Sequence, residues 1–151
     1  MAGNDTGNGD TAGRVRSSFK RQRYMETIGA TLRSVEPGRV SIRLPFRDDL
    51  TQQHGYLHAG VVGAALDSAC GYAAYSMMPG GMAVLTVEYK INLLAPAAGT
   101  EFVATARVLR AGRTLSVCTA EMVARSAAGE RTIAAMQATI VGLPNQPDRR
   151  D

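Results

Sequence analysis

Alternation of apolar and polar residues dominates the second half of the chain and predicts four strands in succession. The first, VLTVEYKINLLA, places one set of apolar residues on a single face: Leu85, Val87, Tyr89, Ile91 and Leu93. EFVATARVLR and TLSVCTAEMVAR continue the pattern as a predicted hairpin around Ala111-Gly112, and RTIAAMQATIVG follows a turn at 128–130.

The first half of the chain predicts a helix, a strand or short hairpin, and a second helix. Phe19, Tyr24 and Ile28 form one helical stripe between Val15 and Thr31, which is typical of a short amphipathic helix. TLRSVEPGRVSIRLPF then alternates about a Pro37-Gly38 turn. The segment from Ala59 to Met78 is apolar almost all round, which indicates a central helix buried on most sides.

This order of elements favours an α+β fold in which an antiparallel sheet is covered by the long helix. The 151 residues fit one domain, predicted to span residues 14–143. Residues 1–13 are rich in Gly, Asn, Asp and Thr and predict a disordered leader, and residues 144–151 predict a flexible tail.

Composition narrows the classes of partner. Seventeen Lys and Arg against 13 Asp and Glu give a net charge of +4, a mild surplus that favours small anions. With 5% aromatic residues and no zinc spacing, we expect no nucleic-acid partner. The absence of an uninterrupted apolar segment predicts no membrane anchor and a cytoplasmic location. Cys70 and Cys118 lie in apolar patterns and are predicted to be buried thiols.

Asp67 is the one formally charged side chain between Asp49 and Glu88. A carboxylate in so apolar a helix is costly unless it is paired, hydrogen-bonded or protonated. Only small residues share its side of the helical wheel: Gly60, Gly63, Ala64, Cys70, Gly71 and Ala74. This predicts a shallow groove floored by Asp67, although small residues also let another strand or subunit approach closely.

Both histidines of the chain, His54 and His58, lie in the loop before this helix, near Gln52. Free N–H groups at a helix N-terminus attract negative charge, so an oxyanion could form there, although loop histidines are often structural. Two histidines without a third ligand predict no metal site. Ser68 lacks the flanking glycines of a nucleophile elbow, and no glycine-rich phosphate loop is present.

A basic cluster occupies the first helix, and it could face a phosphorylated ligand or simply form a solvated surface. Its members are Arg14, Arg16, Lys20, Arg21 and Arg23.

The loop and helix together resemble the hotdog-fold acyl-CoA thioesterases, in particular the PaaI-like branch. Members have His-Gly-Gly before an apolar helix and an acidic residue nine positions after the His; here His58-Ala59-Gly60 precedes Asp67 at that interval. The resemblance extends over TVEYKINLLAPAAG and VLRAGRTL, from about Val15 to Leu143. It implies a sheet wrapped around a long helix, and dimers or dimers of dimers with active sites at the dimer interface.

The same resemblance implies roles for individual residues. Asp67 would act as general base or nucleophile, and the N–H of Ala59, with or without that of Gly60, would hold the thioester oxygen. Gln52 would polarise that carbonyl or position water, and His58 would organise the loop. The remaining implied site residues are His54 and Thr86 near the reaction and Lys90, Arg110 and Arg113 for coenzyme A.

Two positions depart from the simplest expectation. Ala59 replaces the first glycine of His-Gly-Gly, and a left-handed backbone there would cost an alanine about 1 kcal/mol or more. Thr86 has the polar parity of Glu88 and Lys90, so it reaches the site only through a bulge or the end of the strand. Arg110 and Arg113 have an equally simple interpretation as solvated turn residues.

The sequence thus predicts a homo-oligomeric acyl-CoA thioesterase that needs no cofactor beyond the coenzyme A of its substrate. Two alternatives remain on the same fold. One is a non-catalytic acyl-CoA-binding protein, favoured by the basic N-terminal helix. The other is a hydratase or dehydratase, a class whose members normally use a catalytic histidine.

Overall fold

The structure, a computed structural model, describes residues 11–144. Its elements, in chain order, are α1 (Thr11–Arg21), α2 (Arg23–Thr27), β1 (Thr31–Glu36), β2 (Arg39–Pro45), a 3-10 turn (Asp48–Leu50), α3 (Ala59–Ser76), β3 (Met82–Leu93), β4 (Glu101–Ala111), β5 (Leu115–Ser126) and β6 (Gly129–Pro144). The α+β class, the central helix and the four strands after it are confirmed. The segment before α3 is a hairpin, with Gly38 at a positive φ of 73° in its turn.

One six-stranded antiparallel sheet carries the fold, in the order β1-β2-β4-β5-β6-β3. Helix α3 packs against β2 to β6, so the sheet wraps around it as the hotdog fold requires. Although β3 and β4 are neighbours in sequence, β3 crosses over to pair with β6 and leaves its other edge without a partner strand among residues 11–144. The strand that follows the central helix is therefore an edge strand.

The core lies between α3 and the inner face of the sheet. Leu66, Ala69 and Ala73 of the helix are fully buried. They belong to one apolar cluster with Phe102, Met122 and Ile140 of the strands. Helix α3 ends at Ser76, two residues before the predicted end, where Met77 forms the C-cap. Within residues 11–144 no helix is both long and apolar enough to cross a bilayer.

The prediction of one continuous helix between Val15 and Thr31 is wrong, because the structure has two helices, α1 and α2, in this region. The backbone breaks at Gln22, with φ −82° and ψ 89°, and Gly29 ends the second helix at a φ of 71°. Because the break shifts the helical phase, Tyr24 is 52% exposed, whereas Met25 and Ile28 are buried.

The predicted domain limits differ slightly from the ordered elements. Helix α1 begins at Thr11, so residues 11–13, expected in the disordered leader, are helical. Pro144, expected in the tail, ends β6. The rest of the predicted leader and tail, residues 1–10 and 145–151, lies outside the described residues.

A β-bulge in β3 overturns the predicted face of Leu85, whereas Tyr89, Ile91 and Leu93 share one face as predicted. The pairing register with β6 shifts between Thr86 and Glu88 and leaves Val87 as the extra residue. Thr86 pairs with Ile140, whose side chain is buried, so Thr86 faces the helix. Leu85, predicted on the inner face, pairs with Val141 and lies on the outer face instead.

Candidate active site

Helix α3 presents Asp67 on the side of the helix that the core leaves partly open. Ala64, Asp67, Gly71 and Tyr75, spaced three or four residues apart, are each only partly buried. A cavity of about 590 Å³ opens over this stripe. The structure therefore has a cavity where the sequence predicts a groove. The open side of the helix is narrower than predicted, because the small residues Cys70 and Ala74 are fully buried.

Thr86 holds the Asp67 carboxylate by a direct hydrogen bond. Its Oγ1 donates to Asp67 Oδ1 over 2.7 Å, the usual length of a hydroxyl hydrogen bond. The bulge at Val87 is the reason Thr86 faces the helix, which was one of the two routes the sequence allowed. No hydrogen bond to Asp67 Oδ2 is found within residues 11–144, and Asp67 is one of the residues that line the cavity.

The N-terminus of α3 is capped by His58. Its Nδ1 accepts from the N–H of Gly60 over 2.9 Å, and its carbonyl oxygen accepts from the N–H groups of Val61 and Val62. In the part of the chain that the structure describes, the N–H of Ala59 has no acceptor. Of the two proposed oxyanion donors, Ala59 is therefore the available one, because the cap already uses Gly60.

The backbone conformation at Ala59 is one that alanine adopts without strain. It is the first residue of a right-handed helix, and the preceding His58 is extended, with φ −62° and ψ 138°. The left-handed backbone that would strain an alanine is absent here. The glycine that the geometry requires is Gly60, since a Cβ there would lie 3.0 Å from His58 Nδ1.

Gln52 and His54 belong to a tight turn before the helix. The N–H of Gln52 donates to Tyr56 O over 2.8 Å, and Gln52 Oε1 accepts from the backbone N–H of His54. Gln52 and Ala59 line a second cavity of about 460 Å³. The other residues that line this cavity are mainly apolar: Tyr56, Leu57, Val62, Leu93, Leu94, Ala95, Pro96, Ala97 and Ile133.

The two halves of the predicted site lie apart within one chain. Asp67 and Thr86 line the first cavity, whereas Gln52 and Ala59 line the second. Eight residues of helix separate Ala59 from Asp67, which corresponds to roughly 12 Å along the axis. One thioester carbonyl cannot contact both positions of the same chain.

The first cavity has a wall that the sequence did not reveal. Ser18, Arg21 and Gln22, at the junction of α1 and α2, line it together with Tyr72 of α3. Gln22 Nε2 donates to Ser68 Oγ over 3.2 Å and joins this junction to the helix. Gln22 and Ser68 are 46 residues apart in the chain, so no local pattern predicts their contact. The basic character of α1 is the one sequence signal in this segment.

The residues predicted to contact coenzyme A are all on the surface. Arg110 and Arg113 are exposed in the β4–β5 hairpin, and Lys90 is exposed on the outer face of β3. Pairing places Thr86, Ile140, Ser116 and Ala111 on one row across four strands. The hairpin thus lies roughly 14 Å from Thr86 along the sheet, and none of the three basic residues lines either cavity.

The two cysteines do not contribute a nucleophile. Both are fully buried, as predicted, and Cys118 Sγ donates to Cys70 O over 3.5 Å. Burial raises the pKa of the Cys118 thiol to about 11 and raises the pKa of Cys70 still further above its ordinary value. Both thiols are consequently protonated at neutral pH.

Comparison with known proteins identifies the family of the chain. The sequence model of the thioesterase superfamily matches residues 54–128 of the chain. A crystal structure of a thioesterase family protein from Silicibacter pomeroyi is 51% identical, with a TM-score of 0.88 over 89% of this chain and 99% of that one. The PaaI protein of E. coli shares the fold at 18% identity, with a TM-score of 0.81 over 92% and 97% of the two chains. The chain belongs to the hotdog-fold thioesterase superfamily.

Two curated relatives are less similar in sequence than the Silicibacter pomeroyi protein. A proposed esterase of Saccharolobus solfataricus is 34% identical over 56% of this chain, which spans only 59% of that protein's length. Human acyl-coenzyme A thioesterase 13 is 27% identical over 72% of this chain and 78% of its own.

The cap on α3 generates a stability prediction with a matched control in the same helix. Gly60→Ala would force His58 away from the Gly60 N–H, whereas a Cβ at Gly63 meets only Ile91 Cδ1 at 3.9 Å. We expect Gly63→Ala to be neutral or to stabilise by up to about 1 kcal/mol. Gly60→Ala should be less stable than Gly63→Ala by about 1 kcal/mol, measured by urea unfolding. Equal stability of the two variants would show that the cap contributes nothing.

Proposed function

We propose that the protein is an acyl-CoA thioesterase that hydrolyses an acyl- or aryl-CoA thioester to the free acid and coenzyme A. One observation carries the proposal: Asp67 lines a cavity, and Thr86 orients its carboxylate through a hydrogen bond to Oδ1 that leaves Oδ2 without a partner among residues 11–144. The kinship with human acyl-coenzyme A thioesterase 13 supports the same chemistry.

Asp67 would act on the thioester in one of two ways. As general base, Oδ2 takes a proton from a water molecule while the water oxygen attacks the carbonyl carbon. The tetrahedral intermediate then collapses, the C–S bond breaks, and the proton passes from Asp67 to the leaving thiolate. As nucleophile, Oδ2 itself attacks the carbonyl carbon, and the C–S bond breaks to release the coenzyme A thiolate and leave a mixed anhydride on Asp67. Water then hydrolyses the anhydride to the free acid and the Asp67 carboxylate, and the remaining water proton passes to the thiolate. Thr86 fixes the carboxylate in either case.

The negative charge that develops on the thioester oxygen needs a donor, and the N–H of Ala59 is the one we assign. A backbone N–H at a helix N-terminus is fixed before reaction, so it stabilises an oxyanion without reorganisation. Gln52 lines the same cavity and would polarise the carbonyl or position the water. His58 would organise the loop through its cap, and His54 through its hydrogen bond to Gln52.

Completion of the site requires a second copy of the chain. The free edge of β3 carries exposed apolar side chains: Leu85, Val87, Tyr89 and Leu93. If the β3 strands of two copies paired antiparallel, the Met82–Thr86 half of one strand, which lies beside Asp67, would face the C-terminal half of the other strand. That C-terminal half ends at Leu93, beside the Ala59 cavity. We therefore propose a homodimer, alone or paired into a tetramer, with two shared active sites.

The coenzyme A part of the bound substrate would extend from the active site across the protein surface. Lys90, Arg110 and Arg113 are the basic residues we assign to it, since all three are exposed and none forms an ion pair within the described residues. We expect no metal or redox cofactor, because water and a carboxylate suffice for this hydrolysis.

Asp67→Asn should abolish most of the hydrolysis without unfolding the protein. Loss of a general base typically costs about 10²–10⁴-fold in rate, and we expect kcat to fall within that range. Thr86→Val, which keeps the shape but removes the hydrogen bond, should cost less, about tenfold. The measurement is thiol release from a panel of aryl- and medium-chain acyl-CoAs.

An unchanged kcat in Asp67→Asn would refute the assignment of Asp67. If the wild-type protein binds acyl-CoA tightly but hydrolyses none of the panel, the non-catalytic binding protein is the correct function. Loss of the conjugated absorbance of an enoyl-CoA would identify a hydratase instead.

Ala59→Pro tests the oxyanion donor by removing one hydrogen. Proline suits the first position of a helix, where the N–H has no intrahelical partner, and it requires the extended backbone that His58 already has. We expect unchanged thermal stability and a loss of about 10²–10³-fold in kcat. Ala59→Ser, which keeps the N–H, is the control and should retain activity. Equal activity of the proline and serine variants would exclude this N–H from catalysis.

A further inference from the structure

A third cavity, lined by basic residues, adjoins the Asp67 cavity on the side of α1. It has a volume of about 380 Å³ and is lined by Gly13, Arg14, Ser17, Arg21 and Tyr75. Arg21 and Tyr75 line both cavities, so the two are neighbours with a common wall. A group bound at Asp67 can therefore extend directly towards α1.

The positive charge of this wall is uncompensated among the described residues. Helix α1 contains Arg14, Arg16, Lys20 and Arg21 and no acidic residue. None of the four ion pairs found within residues 11–144 involves α1. Arg21 is held instead by neutral acceptors, since its Nη1 donates to Ser17 O and Ser17 Oγ over 3.1 and 3.0 Å. This arrangement orients a cation while leaving its charge available.

Arg14 provides an independent indication of a missing acceptor. Its Nη2 donates to Met78 O over 2.9 Å, and the guanidinium lies 5.3 Å from the centre of the Tyr75 ring. Its Nη1 is buried and has no hydrogen-bond partner in the described part of the chain. A buried guanidinium N–H without an acceptor is costly. Because Arg14 also lines the cavity, its guanidinium lies within the site that an anion would occupy.

We infer that Arg14, Ser17 and Arg21 form a binding site for an anionic group of the thioester substrate. This inference depends on the proposed thioesterase function. The anion is either a phosphate of coenzyme A or a carboxylate at the far end of the acyl group. The phosphate fits better with the apolar lining of the Ala59 cavity, which suits an uncharged acyl group. If α1 is simply a solvated surface, Arg21→Ala and Arg16→Ala should have equal effects on every substrate.

The experiment compares Arg21→Ala with Arg16→Ala, which removes the same charge from an exposed position of the same helix that lines neither cavity. Three substrates are used: the best monocarboxylic acyl-CoA of the panel, the matching acyl-pantetheine without phosphates, and a dicarboxylic acyl-CoA of equal length. If the site holds a phosphate, Arg21→Ala should raise KM about tenfold for both CoA thioesters and leave acyl-pantetheine unchanged. If it holds a carboxylate, only the dicarboxylic substrate should lose affinity.

Arg21→Lys should restore part of the affinity, because it keeps the charge. Equal effects of Arg21→Ala and Arg16→Ala on every substrate would overturn the inference, since long-range charge alone would then explain them. Calorimetric titration of free coenzyme A, or of the dicarboxylic acyl-CoA if it is not hydrolysed, into wild type and both variants provides a readout without turnover. If no thioester is hydrolysed, the proposed function fails. A weaker affinity of Arg21→Ala than of Arg16→Ala for coenzyme A or for the dicarboxylic acyl-CoA would still support the site, and an unchanged affinity for both ligands would refute it.

Discussion

The hydrogen bond from Thr86 to Asp67 is the contact on which the candidate site depends. A carboxylate in an apolar helix must find a partner, and no basic residue lies within one helical turn of Asp67. The partner comes from the neighbouring strand, where the bulge at Val87 turns Thr86 towards the helix. The bulge therefore gives one oxygen of Asp67 a hydrogen-bond partner, while Asp67 itself lines the cavity. A regular strand would have placed Thr86 on the opposite face.

Much of the fold could be predicted because local patterns and tertiary burial agree. The alternation in β4, β5 and β6 and the uniformly apolar α3 follow directly from which faces are buried. Two predictions failed where the backbone departs from a regular period. The break at Gln22 and the bulge at Val87 each shift the phase of the residues that follow, and neither position has a proline or glycine to announce it.

The site was predictable only in part, for a geometric reason. Sequence places Ala59 and Asp67 eight residues apart, but a helix converts that separation into roughly 12 Å. Each half lies in its own cavity, and the free edge of β3 offers the means to bring two copies together. The wall formed by Ser18, Arg21 and Gln22 could not be predicted at all, because it depends on a contact between distant segments such as Gln22 with Ser68.

Mixing two inactive variants tests the shared active site most directly. Asp67→Asn and Ala59→Pro are co-refolded in equal amounts so that their subunits exchange. If each site takes Asp67 from one subunit and the Ala59 N–H from the other, every mixed dimer has one site with both groups intact. Half of the dimers are then mixed, and the mixture should recover about a quarter of wild-type thioesterase activity. If mixed dimers form and hydrolysis stays at the level of the separate variants, the two groups do not meet across an interface.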